Sequence, residues 1–496
     1  MSDQYYADRL RKLHELAARG INPYGRRFEG TTDLQRAKAT ADQLGVEPGQ
    51  TREDARCRVA GRIMLRRVMG KLAFLTLRDS TGDLQIGLSK ARLGDAVWDL
   101  VPLLDLGDIL GAEGPLGRTK TGEPTVWADH ITVLSKCLRT PPEKWHGLQD
   151  VDLRYRQRYV DLFTNPDVMA TFKARSRIIQ AVRDLLLSKG FLEVETPMLQ
   201  PIYGGAAARP FTTHHNTLDL DLYLRISPEL YLKRLLVGGM ERVFEINRNF
   251  RNEGISPRHN PEFTMMECYQ AYGDLSDMMS IVEELVAAGL DAVTPDGPAS
   301  RSEDRWKRSF KGLLLDFSPP WRRRTYRDLL KEHAGVDLFD TAAVRAEAAR
   351  RGLATAHLDD AVIANKLFEA AVEEHLVQPV FVTEYPAAIC PLTRRKEDDP
   401  SLAQRFEAFV AGMELANAYT ELNDPATQRE LLSGQLKGEG EETMRVMDED
   451  FLTALEYGMP PAGGLGMGID RLVMLLTDSA SIRDVILFPL QRPQQE

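Results

Sequence analysis

Cysteine is scarce in this chain and always solitary. Cys57, Cys137, Cys268 and Cys390 are scattered over 496 residues with no CxxC pair, so neither a zinc site nor a disulfide framework is suggested. The nine histidines form no HxxxH pair, and the adjacent His214 and His215 suit a surface or structural role better than a metal. Long apolar runs are missing too, and none approaches the length of a membrane span. The opening MSDQYYADRLRKLHEL is polar and periodic, without the apolar stretch of a signal peptide. There is no internal repeat and no low-complexity tract. These absences leave a soluble chain, most simply cytoplasmic.

Positive charge is also in deficit, with a formal net charge of −10. Taken alone that argues against a polyanion partner, but the distribution is uneven. Residues 1–140 carry about +4 and the remainder about −14. A mildly basic N-terminal module could meet nucleic acid through one face, and a solvated imbalance accounts for the numbers equally well. At this length two or three domains are expected.

The pattern along the chain supports an α+β organisation. Tyr6, Leu10, Leu13 and Leu16 or Ala17 share a helical face, giving a first helix that ends at Gly20. From 55 to 137 the texture becomes strand-like: CRVAGRIMLRRV, KLAFLTLRD, DLQIGLS, DLGDILGAEGPL and PTVWADHITVLS. Five short strands with a helical stretch after the third suit a barrel of the oligonucleotide-binding (OB) type, whose second and third strands face unstacked bases. LRTPPEKWHGLQD (138–150) reads as a linker, and helical periodicity resumes over 166–190. Residues 291–323, rich in charge, Pro and Gly, read as a surface loop. A helical segment follows over 326–376, then strands at 379–386 and 405–422. This order predicts a mostly antiparallel sheet flanked by helices, with a helical insertion.

Three stretches carry chemistry. The first is FRNEGISPRHNPEFTMMECY, with Arg251, Arg258 and His259 in the loop of a long hairpin. On its return strand Phe263, Met265, Glu267 and Tyr269 share one face. Cations suit phosphate, a ring suits a base, and a carboxylate suits an ammonium. A solvated loop over a half-buried strand is the other reading. The second is GGLGMGIDRLVMLL (463–476), a glycine run leading into a helix that bears Arg471. It matches neither the dinucleotide-binding nor the P-loop pattern. Close backbone packing explains the glycines, and an anion held by Arg471 is the alternative. The third is RFEAFVAGMELANAYTELND. A two-residue turn at Ala411–Gly412 pairs Phe409 with Glu414 and puts Glu407 and Glu414 on one face, where two carboxylates suit a hard divalent cation. Asn417, Tyr419 and Glu421 share a face with one another. A bulge near 415–416 is required if they and Glu414 serve one pocket.

In order and at this spacing, these stretches resemble the three signature motifs of the class II aminoacyl-tRNA synthetases, and the lysyl-tRNA synthetases in particular. The first motif is the 166–190 helix with GFLEVETP. YGGAAARPF, THHNTLDLDLYLRISPELYLKRL and TALEYGMPPAGG extend the likeness over nearly the whole chain. The resemblance implies a helical extension (1–50), an OB-fold anticodon-binding barrel (51–138), a linker (139–150) and a class II catalytic domain (151–496) with an insertion at about 291–376. It further implies a homodimer. Arg251 would hold the α-phosphate of ATP with Glu253 and His259 nearby, Phe263 would stack on adenine, and Arg471 would clamp the γ-phosphate side. Glu407 and Glu414 would carry Mg²⁺, more than one ion per site. Gly205 and Glu229 would take the α-amino group of L-lysine. Glu267, Tyr269, Asn417, Tyr419 and Glu421 would shape the side-chain pocket, with Glu267 and Glu421 facing the ε-ammonium. Phe74, Gln85 and Glu123 would read the anticodon of tRNA(Lys).

One departure is that Tyr419 stands where GREIGNGFSEL of some bacterial members has Phe. An aspartyl- or asparaginyl-type sibling would need a cation facing its substrate, which carboxylates at 267 and 421 oppose. A ligase adding lysine to a protein would not need the barrel. A silent nucleic-acid-binding or regulatory relative would not need Arg251, Glu407, Glu414 and Arg471.

Overall fold

The computed structural model describes residues 2–142, 148–294, 303–435 and 447–494. The chain forms two compact units, Met1–Met169 and Ala170–Glu496. Of the expected linker, residues 143–147 lie outside the described residues.

In the first unit α1 (Ser2–Ala18) stops just before Gly20, whose φ of +74° takes the chain out of the helix. α2 (Leu34–Gln43) is capped by the Asp33 side chain. The sequence reading does not anticipate it, because its buried face is mainly Ala37 and Ala41 behind Leu34. Then come β1 (Thr51–Met69), β2 (Leu72–Arg78), β3 (Asp83–Ser89), α3 (Lys90–Trp98), β4 (Ile109–Arg118), β5 (Pro124–Ala128) and β6 (His130–Ser135). The strand order is β1-β2-β3-β5-β4-β6, and β1 also pairs with β4, which closes a barrel. Leu75, Leu77, Ile86, Leu88, Leu110 and Val126 fill its core.

The stretch expected as a single fifth strand is two. β5 runs parallel to β3, whereas β6 pairs with β4 alone. The break falls at Asp129, whose N–H donates to Glu113 and whose carboxylate takes Arg56 and Arg92. α4 (Val151–Arg156) and α5 (Arg158–Thr164) complete the unit, with the Arg62 guanidinium 4.4 Å from the Phe163 ring centroid.

α6 (Pro166–Ser188) leads into the second unit. It is followed by β7 (Leu192–Glu193), β8 (Leu199–Gln200), β9 (Thr212–His215), β10 (Leu220–Leu224), α7 (Glu229–Val237), β11 (Arg242–Phe250), β12 (Glu262–Ala271) and α8 (Leu275–Val293). Next are β13 (Lys307–Phe310), β14 (Leu313–Asp316), β15 (Arg322–Thr325), α9 (Tyr326–Ala334), α10 (Thr341–Arg350) and α11 (Asp360–Ala371). The chain continues through β16 (Val380–Pro386), β17 (Leu402–Val410), β18 (Met413–Thr420), α12 (Pro425–Gln435), α13 (Glu449–Glu456), β19 (Ala462–Gly468), α14 (Ile469–Leu476) and α15 (Ile482–Val485).

The main sheet has eight strands in the order β15-β16-β17-β18-β19-β12-β11-β7, antiparallel except at its two outermost pairs. One face is largely apolar. Phe244, Met266, Cys268, Phe406, Ala418, Leu465 and Met467 pack there against α6, α8 and α14. α8 begins at a capping box formed by Asp274 and Asp277 and buries Met278, Ile281, Val282, Leu285 and Val286 along one stripe. The alternate residues of the same strands point to the opposite face. There α9–α11 flank one end of the sheet, and α7, α12 and α13 the other.

The expected loop at 291–323 is a correction. Residues 295–302 lie outside the described residues, but α8 extends to Val293, β13 and β14 form a hairpin, and β15 joins the main sheet beside β16. Its charged composition belongs to exposed strand edges. Among the described residues no helix is long and apolar enough to cross a membrane.

Candidate active site

The polar face of the main sheet is centred on β19, a strand with little side chain. β19 lies between β12 and β18, so two of its glycines face polar site residues on either side. Gly466 sits opposite Glu267 and Asn417, and Gly464 opposite Tyr269 and Tyr419. A Cβ on Gly464 would come within 1.9 Å of Glu421 Oε1 and 2.6 Å of the Tyr269 ring. The glycine run is the floor on which the side chains of Glu421 and Tyr269 rest.

The turn at Ala411–Gly412 has two left-handed residues (φ +52° and +67°), and Phe409 faces Glu414 across it. The register slips between Ala408 and Phe409, which leaves Leu415 as the extra residue. Leu415 and Ala416 both bury into the apolar core behind the sheet. That bulge puts Glu414, Asn417 and Tyr419 on the face of Glu407, which sits directly opposite Asn417.

The residues expected around an amino acid converge here. Gly205, at φ +86°, packs so closely on Ser227 and Glu229 that a Cβ would lie 3.0–3.2 Å from them. Ser227 Oγ donates to Glu267 Oε1 at 2.9 Å, and Tyr269 OH donates to Glu267 Oε2 at 3.0 Å. Lys233 Nζ donates to Glu229 Oε1 at 2.7 Å and also pairs with Glu421. Burial, reinforced by the charge of Glu229, pushes the Glu267 carboxyl up to about 7. Burial outweighs the opposing Lys233 charge and pushes Glu421 up to about 8. An ammonium arriving between these groups would return both to the ionised form.

The second cluster borders the first. Arg251 leaves β11 with its guanidinium 5.2 Å from the Phe263 ring centroid, and burial holds its pKa below the ordinary value. Its Nε is buried and makes no hydrogen bond among the described residues, which suits an incoming anion. Glu253 is exposed in the loop. Arg471, at the start of α14, donates to the Glu414 carbonyl, lies 3.4 Å from Glu414 Oε2 and reaches His259 Nε2 at 3.4 Å. Lost hydration and the guanidiniums of Arg471 and Arg251 hold the His259 imidazole below its ordinary value. Arg258 instead donates to the Gly412 carbonyl and ties the loop to the β17–β18 turn.

Burial pushes Glu407 up to about 7; Arg405 opposes this and Glu414 adds to it. Such a carboxyl gains from a cation. Among the described residues no group of three or more His, Cys, Asp or Glu could hold a metal ion. A magnesium here would rest on Glu407, Glu414 and the oxygens of a bound ligand, the usual donor set for that ion.

Several residues at the site were not singled out in the sequence. Ser227 and Lys233 sit in the quoted SPELYLKRL stretch, yet their partners are distant in the chain. Arg405 bridges Glu407 at 2.5 Å and Asn417 at 3.2 Å. Asp470 accepts from Arg175 at 2.6 Å and from Thr264 N at 2.7 Å, locking α14 to α6 and β12. Away from the site, His214, expected in a surface or structural role, lies in exposed β9 and contacts Asp221 at 2.8 Å and Asp219 at 3.3 Å.

In the barrel, Phe74, Gly87 and Trp127 lie in register across β2, β3 and β5. Phe74 and Trp127 meet edge to face at 5.8 Å. Gln85 is buried and donates to Thr125 Oγ1 at 2.9 Å, and Glu123 is exposed at the start of β5. Trp127 was not anticipated; the signal was an aromatic on the strand beyond Gly87, where a Cβ would fall 2.5 Å from its ring.

A glycine-floored antiparallel sheet with an arginine-bearing hairpin, joined in one chain to an OB barrel, defines a class II aminoacyl-tRNA synthetase. The family model for class II tRNA synthetases of the D, K and N group matches residues 150–492, and that for OB-fold nucleic acid binding domains matches 57–134. A lysine–tRNA ligase of Pelotomaculum thermopropionicum is 53% identical over 495 residues, covering 98% of this chain and 94% of the relative. Those of Moorella thermoacetica and Dehalococcoides mccartyi are 50% and 49% identical, over 99% and 100% of this chain and 98% and 99% of their own lengths. The chain belongs to the lysine–tRNA ligase family, whose work is aminoacylation in translation.

Proposed function

We propose that the pocket on β12, β18 and β19 takes L-lysine, and that the 251–261 hairpin loop with Arg471 takes ATP, so that lysyl-adenylate forms between them. The observation that carries this reading is the buried acidic floor of Glu229, Glu267 and Glu421 against a strand of glycines. Burying an ammonium is costly unless it is paired, and a neutral or shorter side chain would leave these carboxylates unpaired. Arginine would fail by shape, since its planar fork differs from a compact ammonium.

In the first step the lysine carboxylate attacks the α-phosphorus and pyrophosphate leaves. The nucleophile is already ionised, so no protein base is needed. Arg251 meets the charge spreading over the α-phosphoryl oxygens, with Glu253 and His259 beside it. Phe263 stacks on adenine, and Arg471 faces the γ-phosphate side. Magnesium held by Glu407 and Glu414 would neutralise phosphate charge. Gly205 and Glu229 take the α-ammonium, Glu267 and Glu421 face the ε-ammonium, and Tyr269, Asn417 and Tyr419 shape the walls. In the second step the 3′-terminal hydroxyl of tRNA(Lys) attacks the adenylate and AMP leaves.

The domain plan is the one read from the sequence: extension 1–50, barrel 51–138, linker 139–150 and catalytic domain 151–496 with its insertion at about 291–376. Phe74, Gln85 and Glu123 face the anticodon. The enzyme works as a cytoplasmic homodimer. ATP–pyrophosphate exchange with each standard amino acid, Mg²⁺ present and tRNA absent, is the test. Exchange with lysine alone is expected; exchange with aspartate or asparagine would overturn the pocket assignment.

A further inference from the structure

Lys233 is a fully buried cation inside a pocket built to receive cations. Its side chain has no exposed surface, and both of its ion-pair partners, Glu229 and Glu421, are buried with it. Its Nζ also sits 5.5 Å from the Tyr419 ring centroid. Glu229 lies one helical turn before it on α7, whereas Glu421 follows β18 and is distant in sequence. Lys233 holds Glu421 through Oε2, while Oε1 is buried, makes no hydrogen bond among the described residues, and lies over Gly464.

Counting charges gives this arrangement a purpose. In their ionised forms Glu229, Glu267 and Glu421 supply three negative charges and Lys233 one positive, leaving a deficit of two. The amino acid assigned to the pocket brings two ammonium groups. The other groups facing the pocket do not alter the balance. Tyr269 and Tyr419 are neutral phenols with pKa values raised well above ordinary, β19 contributes glycines, and Arg225 behind Glu267 is paired with Glu245 at 2.6 Å. We infer that Lys233 is a specificity-determining residue: a built-in counter-ion that sets the pocket's charge to match a diammonium substrate and favours the ionised form of Glu421, with one oxygen left for the ε-ammonium. This rests on the assignment of lysine to the pocket, and Lys233 acts through Glu421 without touching the reacting atoms.

A cation beside a buried carboxyl lowers its pKa, so removing Lys233 raises that of Glu421. The form that receives an ammonium is the ionised one. The acid limb of kcat/KM for lysine, which reports groups of the free enzyme, therefore moves to higher pH in Lys233→Met. A shift of about one pH unit is expected, seen as about a tenfold loss at neutral pH that narrows to about threefold at pH 8.5. KM for ATP should stay within about twofold, because its site is untouched. Lys233→Arg, which keeps the charge, should keep the wild-type limb. Lys233→Met with Glu229→Gln removes a cation and an anion together, so its limb should return toward the wild-type position even though lysine binds less tightly. The double variant also serves if the single one does not fold.

The measurement is ATP–pyrophosphate exchange by the full-length chain between pH 6 and 8.5. A loss in Lys233→Met that is uniform across pH, or a profile that does not move, would overturn the inference. Failure of the wild-type chain to exchange with lysine would instead overturn the pocket assignment beneath it.

Discussion

Adding one methyl group at Gly464 should destroy lysine activation while leaving the ATP site working. The new Cβ would stand 1.9 Å from Glu421 Oε1 and 2.6 Å from Tyr269 Cε1. The carboxylate would have to retreat by about 1.5 Å to reach ordinary van der Waals separation. It has little room, since Glu421 is fully buried and tied to Lys233. Overpacking of this kind costs about 1–3 kcal/mol, and losing a charged hydrogen bond about 1.5–3 kcal/mol more. Together they predict a fall of about 10²–10⁴ in kcat/KM for lysine in Gly464→Ala. Two neighbours calibrate the argument. At Gly466 the Cβ meets only the flexible end of Met265 at 2.7 Å, and at Gly468 it makes ordinary contacts with Arg471 from 3.6 Å. Steady-state exchange with lysine varied, then with ATP varied, should rank the losses for lysine as Gly464 far above Gly466, with Gly468 smallest. If all three alanine variants lost lysine activation equally, the strand would matter as backbone, and the pocket floor would be wrongly drawn.

Removing the guanidinium in Arg251→Ala should lower kcat by about 10²–10³, or about 3–4 kcal/mol, with KM for lysine nearly unchanged, read by exchange kinetics. Lysine binding should release protons near neutral pH, because Glu267 (about 7) and Glu421 (about 8) are partly protonated in the empty pocket and the ammonium favours the ionised forms. Affinity should accordingly rise with pH through 7–8, and calorimetry in buffers of different ionisation heat would give the proton count. Asp470→Ala should destabilise the protein by about 3–5 kcal/mol, since it leaves the Arg175 charge and the Thr264 N–H without their partner, measured by denaturant unfolding. Ala411→Asn, at a turn residue with φ +52°, should raise stability by about 1 kcal/mol without changing kcat.

What could be read in the chain and what could not divides along a physical line. Alternation on β12 put Phe263, Met265, Glu267 and Tyr269 on one face without any knowledge of their surroundings, because strand period two is a local property. The bulge at Leu415 was legible as a geometrical necessity: two sets of polar residues could share a pocket only if one residue left the ladder. Lys233 was not legible. On α7 it reads as one more cation in KRL, and the carboxylate that explains its burial, Glu421, comes from a different part of the chain. Gly464 carries no side chain to read; its meaning lies in what packs against it. The 291–323 region misled because charge marks exposed strands as readily as loops: Lys307, Arg308, Asp316, Arg322 and Arg323 all lie in strands.

The position of β19 in the sheet has a consequence for how the chain becomes competent. It is the last strand in chain order among the described residues, yet it goes into the middle, between β18 and β12. Until residues 462–468 have left the ribosome, β12 and β18 are two open edges with polar faces and no common partner. The pocket proposed for the amino acid then exists only as separate halves. A nascent chain stalled before that point would have most of its sheet and none of its specificity, and exposed edges of that kind invite pairing with other chains. Completion of the pocket is thereby made a late event in synthesis, set by where the glycine strand is written in the sequence.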